Sequence, residues 1–147
     1  MATETERTYR AMNKRAVSQE EYETLAAFRH SLRQFLIFSE EAARNVGLTP
    51  QHHQALLTIK GFPGLDYVTV GELAEQLHIK HHSAVGLVNR LVAQGLVTRR
   101  PSTEDRRQVW ITLTPHGEDL LSDLTVVHKE EVRRIRITLQ ELLERLT

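Results

Sequence analysis

Residues 87–100 read LVNRLVAQGLVTRR (Leu87 to Arg100), and two kinds of periodicity meet inside this stretch. Leu87, Val88 and Leu91 recur at helical spacing, with Ala84 one turn earlier, and Gly95 follows them. A glycine just past a helical run is a common stop, because it takes the left-handed backbone conformation without a Cβ clash. Beyond it, Leu96-Val97-Thr98-Arg99-Arg100 predicts a strand, and Gln108 to Leu113 predicts its partner. The polar stretch Pro101 to Arg107 is the hairpin loop between them. Upstream, Thr69 and Glu72 have the spacing of a capping box, which opens a short helix with Leu73, Ala74 and Leu77 inward. His78-Ile79-Lys80 separates it from the helix of His81 to Gln94. Two short helices joined by about three residues, then a basic hairpin, predict a winged helix-turn-helix.

Longer helices flank this block. Ser18 with Glu21 forms a second capping box, and Leu25, Phe28, Leu32, Phe35, Leu36, Ala42, Ala43 and Val46 make a helical stripe that ends at Gly47. Thr49-Pro50 restarts the chain with an N-cap and a first-turn proline, and the next helix buries Leu56, Leu57 and Ile59 before Gly61. Thr114-Pro115 opens a C-terminal helix whose stripe runs through Leu121, Leu124, His128, Val132, Ile135, Leu139, Leu142 and Leu146. That stripe is near a heptad repeat, so it calls for a partner helix from the same chain and from a second copy. Residues 1–17 are polar and mixed in charge, and are expected to be an arm or frayed segment. The expected fold is mostly α with a small β-hairpin wing. It is one domain over 1–147, with 49–114 as the winged helix-turn-helix lobe and 18–47 and 115–147 as a dimerisation region.

Composition narrows the function classes. The 147 residues carry no cysteine, which excludes disulfides, thiolate catalysis and Cys-based zinc sites. No apolar run approaches the roughly 20 residues of a membrane span, and the polar start lacks a signal-peptide core, so no membrane partner and a cytoplasmic location are expected. The formal net charge is zero, with 19 basic and 19 acidic residues, but the charges are unevenly spread. Residues 80–107 hold six basic side chains (Lys80, Arg90, Arg99, Arg100, Arg106, Arg107) against Glu104 and Asp105, a local net of +4. Local charge decides where a phosphate backbone docks.

The helix from His81 presents His82, Gly86, Asn89 and Ala93 on a face poor in large apolar residues, with His81 and Val85 flanking it and Arg90 at the other edge. His81, His82, Ser83 and Asn89 can hydrogen-bond base edges, Val85 can touch a thymine methyl, and Gly86 lets a backbone approach closely. A plain solvated face is the competing reading, and the basic hairpin downstream weighs against it. Lys80 stands where the helix needs a cap; it cannot accept from amide donors but can reach a phosphate. Arg99, Arg100 and Arg106 read as phosphate contacts.

Four stretches together resemble the multiple-antibiotic-resistance regulator (MarR) family. They are LVNRLVAQGLVTRR (Leu87 to Arg100), DRRQVWITLTPHG (Asp105 to Gly117), GLTPQHHQALLTI (Gly47 to Ile59) and VGELAEQL (Val70 to Leu77). The resemblance covers residues 20–146 and implies a homodimer on a pseudo-palindromic operator in double-stranded DNA. The recognition helix would enter the major groove and the wing the minor groove. It assigns the minor-groove arginine to Arg107, with Asp105 orienting it or pairing with another arginine. It further implies a repressor released by a small aromatic or phenolic effector.

Phe28, Phe35, Phe38, His53 and Trp110 are candidate effector contacts, with His30 and Arg33 as polar anchors, although core packing competes for the phenylalanines. Two other readings stay open. One is a winged-helix protein-interaction module without DNA binding. The other is a metal-responsive regulator built on the eight histidines. Adjacent pairs such as His52-His53 and His81-His82 diverge by about 100° on a helix, and no helix carries a His-x-x-x-His pair, so neither metal nor cofactor is expected. No phosphate loop, nucleophile elbow or metal signature points to an enzyme.

Overall fold

The computed structural model describes every residue except Arg106, and of residues 13–16 it describes the backbone alone. The elements follow in the order α1 (Glu4–Ala16), α2 (Gln19–Asn45), α3 (Pro50–Lys60), β1 (Tyr67–Thr69), α4 (Val70–Leu77), α5 (His81–Ala93), β2 (Val97–Pro101), β3 (Val109–Leu113) and α6 (Pro115–Leu146). They divide into two compact units, residues 38–129 and residues 1–37 with 130–147. The architecture is the winged helix-turn-helix read from the sequence.

The unit of residues 38–129 has a closed core. Leu56 and Ile59 of α3, Leu73 of α4, Leu87 and Leu91 of α5, Leu96, Val97 of β2 and Ile111 of β3 are all essentially inaccessible. Burying each contributes roughly 1.5–3 kcal/mol. Leu57, expected inward, is 49% exposed. Neighbours on a helix point about 100° apart, so Leu56 and Ile59 can share the core face and Leu57 cannot.

The strands form one antiparallel sheet in the order β1-β3-β2. Sequence reasoning missed β1, whose three residues are too few to display alternation. Its register against β3 pairs Tyr67 with Thr112, Val68 with Ile111 and Thr69 with Trp110, while Arg99 of β2 pairs with Ile111 and Arg100 with Trp110. Pro101 ends β2 on the sheet edge, where its missing N–H costs no ladder bond.

Local chemistry sets the joints. The capping box at α4 is complete: Glu72 N–H donates to Thr69 Oγ1 at 3.1 Å, and Thr69 N–H donates back to the Glu72 carboxylate at 3.0 Å. Gly95 has φ +69°, the left-handed turn that releases α5 into β2. Thr114 then caps α6 by accepting from Gly117 N–H at 3.0 Å, while its hydroxyl donates to Gly95 O at 2.6 Å. Gly117 sits so close to the Leu96 backbone that a Cβ there would lie 2.2 Å from the Leu96 carbonyl oxygen.

In the unit of residues 1–37 and 130–147 the first correction appears. Residues 4–16 are a helix, not a frayed arm, started by a capping box in which Thr3 N–H donates to Glu6 Oε2 at 2.7 Å. The Thr3-x-x-Glu6 spacing was the available signal, and the lack of an apolar stripe obscured it. At α2 the expected box is met in one half, with Glu21 N–H donating to Ser18 Oγ at 3.2 Å. Thr24 of α2 and Leu142 of α6 are buried. Most of the predicted stripe is not: Leu25, Leu32, Leu36, Val132 and Leu146 are exposed, and Phe28 and Phe35 half-buried.

Candidate nucleic-acid interface

Helix α5 is held by its apolar side, Ala84, Leu87, Val88 and Leu91, which leaves the opposite face outward. On that face His81, His82, Ser83, Val85, Asn89 and Arg90 are exposed and Gly86 is half-buried. Lys80 occupies the N-cap with extended backbone and no side-chain cap bond, as its chemistry requires. The first amides of α5 are therefore left without a side-chain acceptor, which suits a phosphate oxygen. A Cβ on Gly86 would lie 3.4 Å from an Arg90 guanidinium nitrogen, an ordinary contact with the flexible end of that side chain.

One bond joins the helix to the hairpin. The Arg99 guanidinium donates to Asn89 Oδ1. With its oxygen engaged, Asn89 presents its NH₂ as the free donor. Sequence reasoning named both residues but could not pair them, because the contact depends on how β2 leaves Gly95.

Arg99 and Arg100, read alike from the sequence, lie on opposite faces of the sheet. Side chains alternate along a strand. Arg99 therefore shares a face with its partner Ile111 and looks toward α5, whereas Arg100 shares the outer face with Trp110. Arg100 is not brought together with the α5 surface.

The hairpin tip is built by two acceptors. Ser102, buried, accepts from Glu104 and Asp105 N–H at 3.2 Å each, and Asp105 Oδ1 accepts from Arg107 N–H at 2.9 Å. Asp105 thus ties down the backbone of Arg107. Arg107 is exposed. Arg106 lies outside the described residues.

The candidate effector residues divide between the two compact units. Phe28, Phe35, His30 and Arg33 belong to the unit of residues 1–37 and 130–147, the two cations exposed. Trp110 stacks on Tyr67 on the outer face of the sheet, with ring centroids 4.3 Å apart, and its cleft does not include His53. The reason is again alternation: Ile111 takes the core, so Trp110 must face out.

His53 instead meets His128, with centroids 4.8 Å apart, and Phe38 packs edge-on against His128 at 5.5 Å. His128 Nδ1 donates to Leu124 O at 2.6 Å, which leaves Nε2 to accept from the Ser39 hydroxyl at 2.8 Å. Burial, and secondarily the nearby His128, holds the His53 pKa below the usual imidazole value. Phe38 also lines an apolar groove of about 300 Å³ with Ala42, Val46, Leu124 and Val127.

His52, missed by sequence reasoning, is buried with Nδ1 unpartnered among the described residues. Burial lowers its pKa first and the Arg90 charge second, while a hydrogen bond with Gln94 opposes them. Among the described residues no group of three or more His, Asp or Glu side chains is placed to hold a metal. No helix there is long and apolar enough to cross a membrane.

Residues 46–108, which span the site from α3 to the hairpin tip, match the model of the MarR family. Over these residues the chain is similar to the MarR family. It is 32% identical over 89 residues to the organic hydroperoxide resistance transcriptional regulator of Bacillus subtilis, a match that spans 54% of this chain and 60% of that protein. In structure it resembles AbsC, a MarR family transcriptional regulator from Streptomyces coelicolor, with TM-score 0.69 and 23% identity over 88% of this chain and 89% of the other. It also resembles a Staphylococcus aureus MepR variant bound to an oligodeoxyribonucleotide, with TM-score 0.67 and 20% identity over 86% and 98% of the two chains. These structural likenesses show a shared fold. The relative and AbsC are named as regulators, not as enzymes.

Proposed function

We propose that the chain is a sequence-specific DNA-binding transcriptional regulator that acts in the cytoplasm as a homodimer on a pseudo-palindromic operator. The observation that carries this reading is the Asn89–Arg99 bond, which makes the exposed face of α5 and the basic hairpin one continuous surface. Lobe 49–114 reads DNA and the segments 18–47 and 115–147 pair two copies. His81, His82, Ser83, Val85 and Asn89 face base edges across Gly86. Lys80, Arg90, Arg99 and Arg106 hold phosphate, and Arg107, aimed by Asp105, enters the minor groove, where negative potential concentrates. The MepR variant bound to an oligodeoxyribonucleotide supports DNA as the partner through its shared fold. The mode of action is repression relieved by a small aromatic or phenolic effector, for which the groove at Phe38 offers an apolar wall.

In-vitro selection of bound sequences followed by footprinting tests the reading. Two protected half-sites about one helical turn apart are expected; a single asymmetric half-site overturns the dimeric operator, and no enrichment at low salt overturns DNA binding. On the selected site Arg107→Ala lowers affinity and flattens the slope of log K against log salt by about 0.9. An unchanged slope removes Arg107 from the interface.

A further inference from the structure

Asn89 and Arg99 come from different elements, α5 and β2, and their exposed side chains meet where the helix faces the hairpin. A guanidinium carries N–H donors and no acceptor, so the amide atom it faces can only be the carbonyl oxygen. That fixes the orientation of the Asn89 amide. Oδ1 turns to Arg99, and the NH₂ group turns away from it. An asparagine held by no such partner can present either end, because its oxygen and nitrogen are nearly the same in shape.

The orientation decides which base edges Asn89 can satisfy. With both ends free, an asparagine pairs bidentately with adenine, accepting from the amino group and donating to the ring nitrogen N7. With Oδ1 held beside a guanidinium, an adenine amino group arriving there meets N–H groups, donor against donor. Cytosine shows only an amino donor at this edge, and thymine shows a single acceptor beside its methyl group. Guanine shows two acceptors, O6 and N7, which match an edge that only donates. Gly86, one turn earlier on the same face, carries no side chain to keep a base from Asn89.

We propose that Arg99 makes Asn89 a reader of guanine in the major groove, acting as a positioning residue that withholds the asparagine oxygen from adenine. The inference rests on the DNA-binding reading and adds a base identity to it. A guanidinium has five N–H donors, so the bond to Asn89 leaves others for phosphate.

Selection of bound sequences by the full-length protein provides the test, with Asn89→Ala marking the operator position that depends on this side chain. At that position the wild-type protein should prefer guanine over adenine by at least about fivefold. Arg99→Met removes the donors and keeps the length of the stem. It should weaken binding and abolish or reverse the preference for guanine at that position, with base preferences elsewhere unchanged. Both residues are exposed, so neither substitution opens the core. The wild-type preference is read without the Arg99→Met protein, and any base other than guanine at the marked position overturns the inference. So does an Arg99→Met protein that weakens every sequence equally, since a phosphate contact alone does that. A selected site whose base preferences Asn89→Ala leaves unchanged also overturns it, while the DNA-binding reading stands. No enrichment at low salt overturns both.

Discussion

The two compact units treat their apolar side chains in opposite ways. Of 19 buried hydrophobic residues among those described, 18 lie in residues 38–129; Leu142 alone lies in the other unit. That other unit exposes Tyr9, Met12, Tyr22, Leu25, Leu32, Leu36, Ile37, Val132, Ile137 and Leu143. The lobe satisfies its own hydrophobic demand. The helical ends do not, and a set of exposed apolar residues of this kind marks an interaction surface. The contrast supports the proposal that a second copy covers the ends.

A direct way to break that contrast is to charge the uncovered face. Leu32→Glu with Leu36→Glu removes nothing from the lobe's core, since both residues are exposed on α2. The double variant is expected to sediment as a monomer with unchanged lobe fluorescence. Its operator affinity should fall by about 10²–10⁴, because the second half-site contact is no longer intramolecular. A double variant of unchanged mass overturns the dimer surface.

The lobe should break differently, from within. Gly117→Ala would press a methyl group onto the Leu96 carbonyl, at the joint where Thr114 ties α6 to Gly95. The joint is backbone against backbone, so it cannot yield by turning a side chain. We expect a loss of about 3 kcal/mol in denaturant unfolding. Val126→Ala, on an exposed site of the same helix, should change stability by less than about 0.5 kcal/mol. Equal effects at both sites would mean that the α6 start tolerates rearrangement.

Much of this was legible in the sequence because local signals agreed with tertiary ones. Thr69 and Glu72 announce α4, Gly95 announces the end of α5, and the periodicity of Leu87 to Leu91 names the core face. What stayed hidden depends on direction rather than identity. Arg99 and Arg100 are chemically equal neighbours, and only the register with Ile111 and Trp110 sends them to opposite faces. The Asn89–Arg99 bond, the Asp105–Arg107 backbone bond and the Tyr67–Trp110 stack are likewise products of how turns return the chain. The α1 helix was hidden for another reason: its residues are mostly exposed, so no apolar stripe declares it.

Acid offers a subtler test of the same contrast. His52 and His53 are buried in the lobe, while His30 of the helical unit is exposed. Burial lowers the folded-state pKa of both lobe histidines below the unfolded value near 6.5. Above that value both states are neutral and the lobe keeps its full stability. As pH falls through it, the unfolded chain takes up protons first, so stability declines until the folded pKa is passed. The melting temperature followed by Trp110 fluorescence should drop below about pH 6.5, and His53→Gln should flatten the drop. A pH profile unchanged by His53→Gln would assign the acid sensitivity elsewhere.

The smallest effect is expected at the turn of the helix-turn-helix, and it has the opposite sign. His78 ends α4 with φ +54°, the only described non-glycine residue with positive φ. A Cβ in the left-handed region crowds the following carbonyl, at a cost of about 1–2 kcal/mol that glycine avoids. Glycine loses more backbone entropy on folding, which returns about 0.5–1 kcal/mol of that gain. His78 is exposed, so its removal opens no cavity. His78→Gly should therefore stabilise the lobe by about 0.5 kcal/mol in chemical denaturation, leaving the α4 cap bond from its N–H to Ala74 O intact. Destabilisation would mean that the imidazole makes a contact worth more than the strain it imposes, and would place His78 among the residues that set the angle between α4 and α5.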